Sequence, residues 1–274
     1  MNLIKLQNEA LEACIDVQGG KVHRLLSRDL QVPVLHENPS GALFPMLPVA
    51  NRVADNRFRL HDDAVILPNH NADERFFLHG DGWLKRWDLV TVAGDRCVLR
   101  LRSRLACGYD YLAELHYQLE GTTLNASLTI THLGEHPMLY GCGFHPFFVF
   151  DAQSRVQFSA SGYWPEDEQH LPLAWQAKIP GAANFAHAQF GEDAWLNVGY
   201  SGWSGKAVIQ RDVMRITLLA QTPWLMLFRM SGGGFLCLEP QSHPVNAHNM
   251  PGQPGLQVLA LGESCHFAMQ IIVE

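Results

Sequence analysis

A chain of 274 residues, 47% hydrophobic, 17% charged and 10% aromatic, has enough apolar mass for a large core and is not the composition of a disordered protein. Its formal charge of −7, from 27 acidic against 20 basic residues, comes without any basic run, so phosphate-backbone binding has no electrostatic footprint and nucleic acid is excluded as a partner. No apolar run approaches the roughly 20 residues of a membrane span, and residues 1–9 lack the apolar segment of a secretory signal, so a cytoplasmic enzyme or binding protein is expected.

The cysteines, Cys14, Cys97, Cys107, Cys142, Cys237 and Cys265, are scattered, with no C-x-x-C pair, the placement of reduced core residues. Between residues 3 and 26, alternations such as Ala13-Cys14-Ile15-Asp16-Val17 are punctuated by Gly19-Gly20, which predicts strands joined by turns. From 33 to 48, Pro33, Pro39, Gly41, Pro45 and Pro48 interrupt any long element and predict a loop laid over the surface. Segments 87–92, 97–105, 109–119 and 123–131 are rich in β-branched, aromatic and alternating residues and are separated by short glycine-containing turns, which favours antiparallel sheet. The same texture returns in 155–160, 206–210, 214–219, 224–229 and 256–273; only 182–189 reads as a short helix or irregular connector. Many short strands without βαβ alternation, internal repeat or linker predict an all-β fold, one large antiparallel β-sandwich domain over residues 1–274.

Four stretches could carry chemistry. In Gly141-Cys142-Gly143-Phe144-His145-Pro146-Phe147-Phe148, an extended strand puts Gly141, Gly143, His145 and Phe147 on one face; the glycines would leave room beside an imidazole that transfers protons, or would permit close backbone approach in a core strand. In Phe235-Leu236-Cys237-Leu238-Glu239-Pro240-Gln241, Glu239 ends an apolar strand, either turned to water or partly buried with a raised pKa suited to general base catalysis. His79 enters the glycine-rich turn Leu78-His79-Gly80-Asp81-Gly82-Trp83, where an aromatic face and an imidazole suit a sugar but also an ordinary turn. Arg52, in Asn51-Arg52-Val53, offers forked donors for oxygen-rich ligands or sits on the surface. Closely spaced metal-binding histidines, nucleotide-binding glycine motifs and a nucleophile elbow are absent from the sequence; His243 and His248 lie in a proline-rich loop.

Together, and in this order, Asn51-Arg52, His79-Gly80, His145-Pro146-Phe147 and Glu239-Pro240-Gln241, followed by Pro244-Val245-Asn246-Ala247-His248-Asn249, resemble the aldose 1-epimerase (galactose mutarotase) family from about residue 41 to the end. The resemblance implies a galactose mutarotase-like sandwich that interconverts α and β anomers of an aldose, with a small-molecule sugar as partner and no metal or organic cofactor. By position, His145 resembles the general acid and Glu239 the general base, with Arg52, His79, Asn197 and Gln241 as sugar ligands. The family commonly has an aspartate before a Gly-Trp-x-Gly segment; here Asn197 takes that place, keeping hydrogen bonding but not charge. A sugar phosphate, met by a rim including Arg57, Arg59, Arg75, Lys85 and Arg86, and a sugar-sensing sandwich without turnover are the alternatives.

Overall fold

The period-two alternation of the sequence becomes two large antiparallel sheets. A computed structural model describes residues 3–69, 72–190 and 194–274. In the nine-stranded sheet, Asp110–Glu120 and Thr123–His132 pair from Tyr111 opposite His132 to Glu120 opposite Thr123 and bury every second side chain, among them Tyr111, Leu115, Leu128 and Ile130, while the others are turned to the outer face. This is the pattern of a sheet covered on one side.

The ten-stranded sheet behaves differently at its centre. Its path runs from Ile4–Gln7 through Leu11–Asp16, Lys21–Ser27, Leu43–Met46, Gly143–Val149, Phe235–Gln241, Trp224–Arg229 and Leu196–Ser201 to Gly162–Trp164 at the edge, with Val32–Pro33 off the path. One face meets the nine-stranded sheet through Phe144, Phe148, Leu227, Leu236 and Leu238, which share the main core with Leu115, Ile216 and Ile271. The opposite face carries a second cluster, Phe44, Met46, Ala50, Trp83, Phe147 and Cys237. The central strands are therefore buried on both faces, and six of the seven residues of Gly143–Val149 are buried.

The stretch 33–48 departs from the expected surface loop. Leu43–Met46 is a buried strand paired with Gly143–Val149, His145 facing Phe44 and Phe144 facing Pro45. Pro45 punctuates the sequence but is tolerated in this short strand. Residues 182–189 hold little helix, only the last two residues of the 3-10 turn Gly181–Ala183, and then a two-residue strand, Gln189–Phe190. No helix among the described residues is long and apolar enough to cross a membrane.

Candidate active site

Register builds the site. The pairing of Gly143 with Gln241 and of Phe147 with Cys237 sets His145 level with Glu239 on the neighbouring strand. Across the sheet, Phe44, His145, Glu239, Met226, Gly199 and Trp164 form one row on the face away from the main core. Phe147, Cys237, Phe228 and Asn197 form the next row. Glu239 is not at a strand end as expected, because the strand continues through Pro240 to Gln241, and this seats the carboxyl within the sheet, 2% exposed.

His145 Nε2 lies 3.2 Å from Glu239 Oε1, and Gln241 Nε2 donates to Glu239 Oε2 at 3.2 Å. Phe44 and Phe147 both stack on the imidazole, with ring centroids 4.6 and 4.5 Å away. In this apolar setting burial pushes Glu239 up to about 8, opposed by the Gln241 hydrogen bond and the Arg52 charge. Burial likewise pulls His145 down to about 3. Each group resists its own charged form, so near neutrality the pair is uncharged and its one exchangeable proton sits on the carboxyl. His145 Nδ1 is buried and without a hydrogen-bond partner among the described residues, the kind of unmet polar atom that marks functional positions.

The glycine-rich turn is clamped from several directions. The backbone N–H of Asn51 donates to His79 Nδ1 at 3.2 Å, and that of His79 donates to the Asn51 carbonyl at 3.1 Å. In the neutral ring the proton then sits on Nε2. The His79 ring stands edge-on to His145, with centroids 5.2 Å apart. Asp81 accepts from Tyr111 Oη and Ser103 Oγ, each at 2.6 Å, tying the turn to the opposite sheet.

Arg52 is held by the late loop that the sequence placed after Gln241. The Asn246 backbone N–H donates to the Arg52 carbonyl at 3.0 Å, and Asn246 Oδ1 accepts from the backbone N–H of Ala54 at 2.9 Å. That loop braces the backbone of Arg52, and its Val245 lines the small cavity shared by Glu166, Asn197, Gly199 and Met226. His243 and His248 are buried there; His243 Nδ1 donates to the Pro244 carbonyl at 2.8 Å. Burial lowers the proton affinity of Arg52, and the charges of Asp73, Glu239 and Glu166 oppose this.

Two expectations change. A Cβ on Gly141 would lie 2.2 Å from the His243 ring, and one on Gly143 would lie 2.7 Å from the Pro240 carbonyl oxygen and 2.9 Å from Met46 Cε. These glycines let neighbouring groups approach and clear no room for a sugar. Gly141→Ala is therefore expected to cost about 1–3 kcal/mol through overpacking, read as a lower midpoint in denaturant unfolding. Asn197, expected as a lone uncharged ligand, donates Nδ2 to Glu166 Oε2, so a carboxylate stands beside it after all. Sequence reasoning missed Phe44, because prolines masked the apolar run Leu43-Phe44-Pro45-Met46, and Glu166, which lies in a stretch without periodicity.

His145, Cys237 and Glu239 bring one donor atom each within 4.8 Å of one another. The set suits a metal poorly, since burial drives the Cys237 thiol well above its ordinary value, with the Glu239 charge adding to it, and a metal takes the thiolate. What the arrangement can do is move protons: one group that gains a proton easily and one that loses it easily, in hydrogen-bond contact on a dry face flanked by hydrogen-bond donors.

Fold and site together define an antiparallel supersandwich with an imidazole–carboxyl pair set on the outer face of its central strands. The family model described as aldose 1-epimerase matches residues 2–271, and the chain belongs to that family. It is 31% identical to the uncharacterized protein YphB of Escherichia coli (strain K12), over 100% of this chain and 99% of that protein. A crystal structure from Escherichia coli K12, provisionally assigned as an aldose 1-epimerase, superposes with a TM-score of 0.95 at 30% identity, covering 100% of this chain and 99% of the other. A galactose mutarotase-like protein from Lactobacillus casei ATCC 334 shares the fold, with a TM-score of 0.83 at 15% identity and full coverage of both chains (100% each).

Proposed function

We propose that the protein is an aldose 1-epimerase that interconverts α and β anomers by general acid and base catalysis, working in the cytoplasm with residues 1–274 as one unit and without a cofactor. The observation that carries this reading is the buried contact of 3.2 Å between His145 Nε2 and Glu239 Oε1. With a closed sugar bound, the Glu239 proton passes to His145 across this contact; the carboxylate so formed takes the proton of the C1 hydroxyl and the imidazolium gives one to the ring oxygen. The bond between C1 and the ring oxygen breaks as the C1 carbonyl forms.

The pair is then uncharged, a protonated Glu239 beside a neutral His145, which is the form that burial favours at rest. After rotation about the C1–C2 bond, Glu239 returns its proton to the carbonyl oxygen and His145 takes the proton of the ring-forming hydroxyl as the other anomer closes. The pair holds one exchangeable proton throughout, and only its position alternates. Arg52, His79, Asn197 and Gln241 hold the sugar, and Gln241 also orients Glu239.

Polarimetry or NMR on freshly dissolved α-glucose and α-galactose tests the reading, and acceleration of no aldose would refute it. The pH dependence adds a second check. The one-proton form persists between the His145 value of about 3 and the Glu239 value of about 8. Catalysed exchange, corrected for the spontaneous rate, should be level around neutrality and fall about tenfold per pH unit beyond about pH 8. A rate that keeps climbing through pH 9 would assign the proton to other groups.

A further inference from the structure

Glu166 lies outside every motif that defines the pair, yet its carboxylate is built into the same face. Two residues beyond the edge strand Gly162–Trp164, it falls level with Asn197 by the register that pairs Trp164 with Gly199. Its backbone is fixed, since Glu166 bridges Pro172 and the Asp167 carboxylate accepts from the backbone N–H groups of Gln169 at 2.7 Å and Leu171 at 2.9 Å. Three donors aim the side chain: Trp195 Nε1 at 2.7 Å from Oε1, His170 Nδ1 at 2.7 Å from Oε2, and Asn197 Nδ2 on Oε2. A carboxylate has about four lone-pair directions, so one remains for a ligand, and the side chain keeps 22% exposure.

Distance and charge point to what that ligand is. The strands of Glu239 and Asn197 are separated only by Trp224–Arg229, two inter-strand steps across the sheet, and Asn197 lies one row further along, which puts the two backbones about 12 Å apart, a gap that two inward-reaching side chains and a pyranose can bridge. A sugar with C1 at Glu239 therefore turns its farthest hydroxyls toward Asn197 and Glu166, across a floor of Met226, Phe228 and Gly199. Burial disfavours the charge of Arg52, with the charges of Asp73, Glu239 and Glu166 opposing this, and the Glu166 carboxylate at the far end of the ligand repels a phosphate or a sugar acid placed there.

We propose that Glu166 is a specificity-determining residue that, with Asn197, receives the hydroxyls farthest from C1 and restricts the site to neutral aldoses, excluding sugar phosphates and uronates. This rests on the epimerase reading above. Anomer-exchange NMR and NMR titrations with glucose, galactose, glucose 6-phosphate and glucuronate, on wild type and Glu166→Gln, test it. Wild type should favour a neutral aldose over both anions, and Glu166→Gln should weaken neutral-sugar binding and narrow that preference, each by about tenfold. Trp195→Phe, which deletes one donor to the carboxylate, should move both in the same direction by less and serves if Glu166→Gln folds poorly. Preference for an anionic sugar by wild type, or a ratio unmoved by either variant, overturns the proposal. If no sugar is turned over, the epimerase reading fails on its own, while the titrations still decide the role of Glu166: neutral binding weakened by Glu166→Gln supports it and stronger anionic binding by wild type sinks it.

Discussion

Glu239→Gln is expected to slow anomer exchange by about 10²- to 10⁴-fold, the usual worth of a positioned acid or base, with the fold intact. The amide has the size of the carboxyl and can still accept from Gln241 Nε2, which lies 3.2 Å from Glu239 Oε2 in the wild type, but it can neither take the C1 hydroxyl proton nor return it. His145→Ala should lose activity over the same range, and the double variant should be little worse than either single one, because both groups serve one proton circuit.

Stability separates this from a folding defect. The folded-state value of Glu239 is raised to about 8, so the stability tied to its proton is fully present below the unfolded-state value near 4.3 and is lost as pH rises through about 8. Glu239→Gln removes that loss, so the variant should gain on wild type in thermal melts between pH 5 and pH 9 while staying inactive throughout. Activity retained in Glu239→Gln would remove Glu239 from the mechanism.

Gly80→Ala is expected to damage stability and activity together. The added Cβ would sit 2.0 Å from the Leu47 carbonyl oxygen, a backbone atom, at a residue with φ of +69°. Left-handed strain and overpacking each cost on the order of 1–3 kcal/mol, and Leu47 follows directly on the strand that carries Phe44. Any relief must shift the turn that positions His79 against Asn51, so sugar affinity should fall as well. A denaturant midpoint unchanged from wild type would show that the turn is looser than its contacts imply.

Much of the fold was legible in the chain order. Alternation in 109–119 and 123–131 reads directly as strands, because a sheet covered on one side writes its burial pattern into every second residue; the structure places them at Asp110–Glu120 and Thr123–His132. Leu43–Met46 was not legible, because a strand buried on both faces loses its alternation and Pro45 mimics a loop signal. The same double burial disguised the glycines at 141 and 143, whose missing side chains accommodate His243, Met46 and the Pro240 carbonyl, groups that lie far away in sequence.

The sequence by itself determined the residue types and order of the candidate site: an Asn-Arg, a His-Gly turn, a His-Pro strand and a late Glu-x-Gln, on a chain whose patterning favours antiparallel sheet almost throughout. Only the tertiary structure decided that His145 and Glu239 share one row in contact, that burial drives their proton affinities in opposite directions, and that Glu166 stands beside Asn197. The physical reason is that hydrophobic periodicity is a local property, whereas register between distant strands and desolvation exist only once the sheets have paired and closed over their faces.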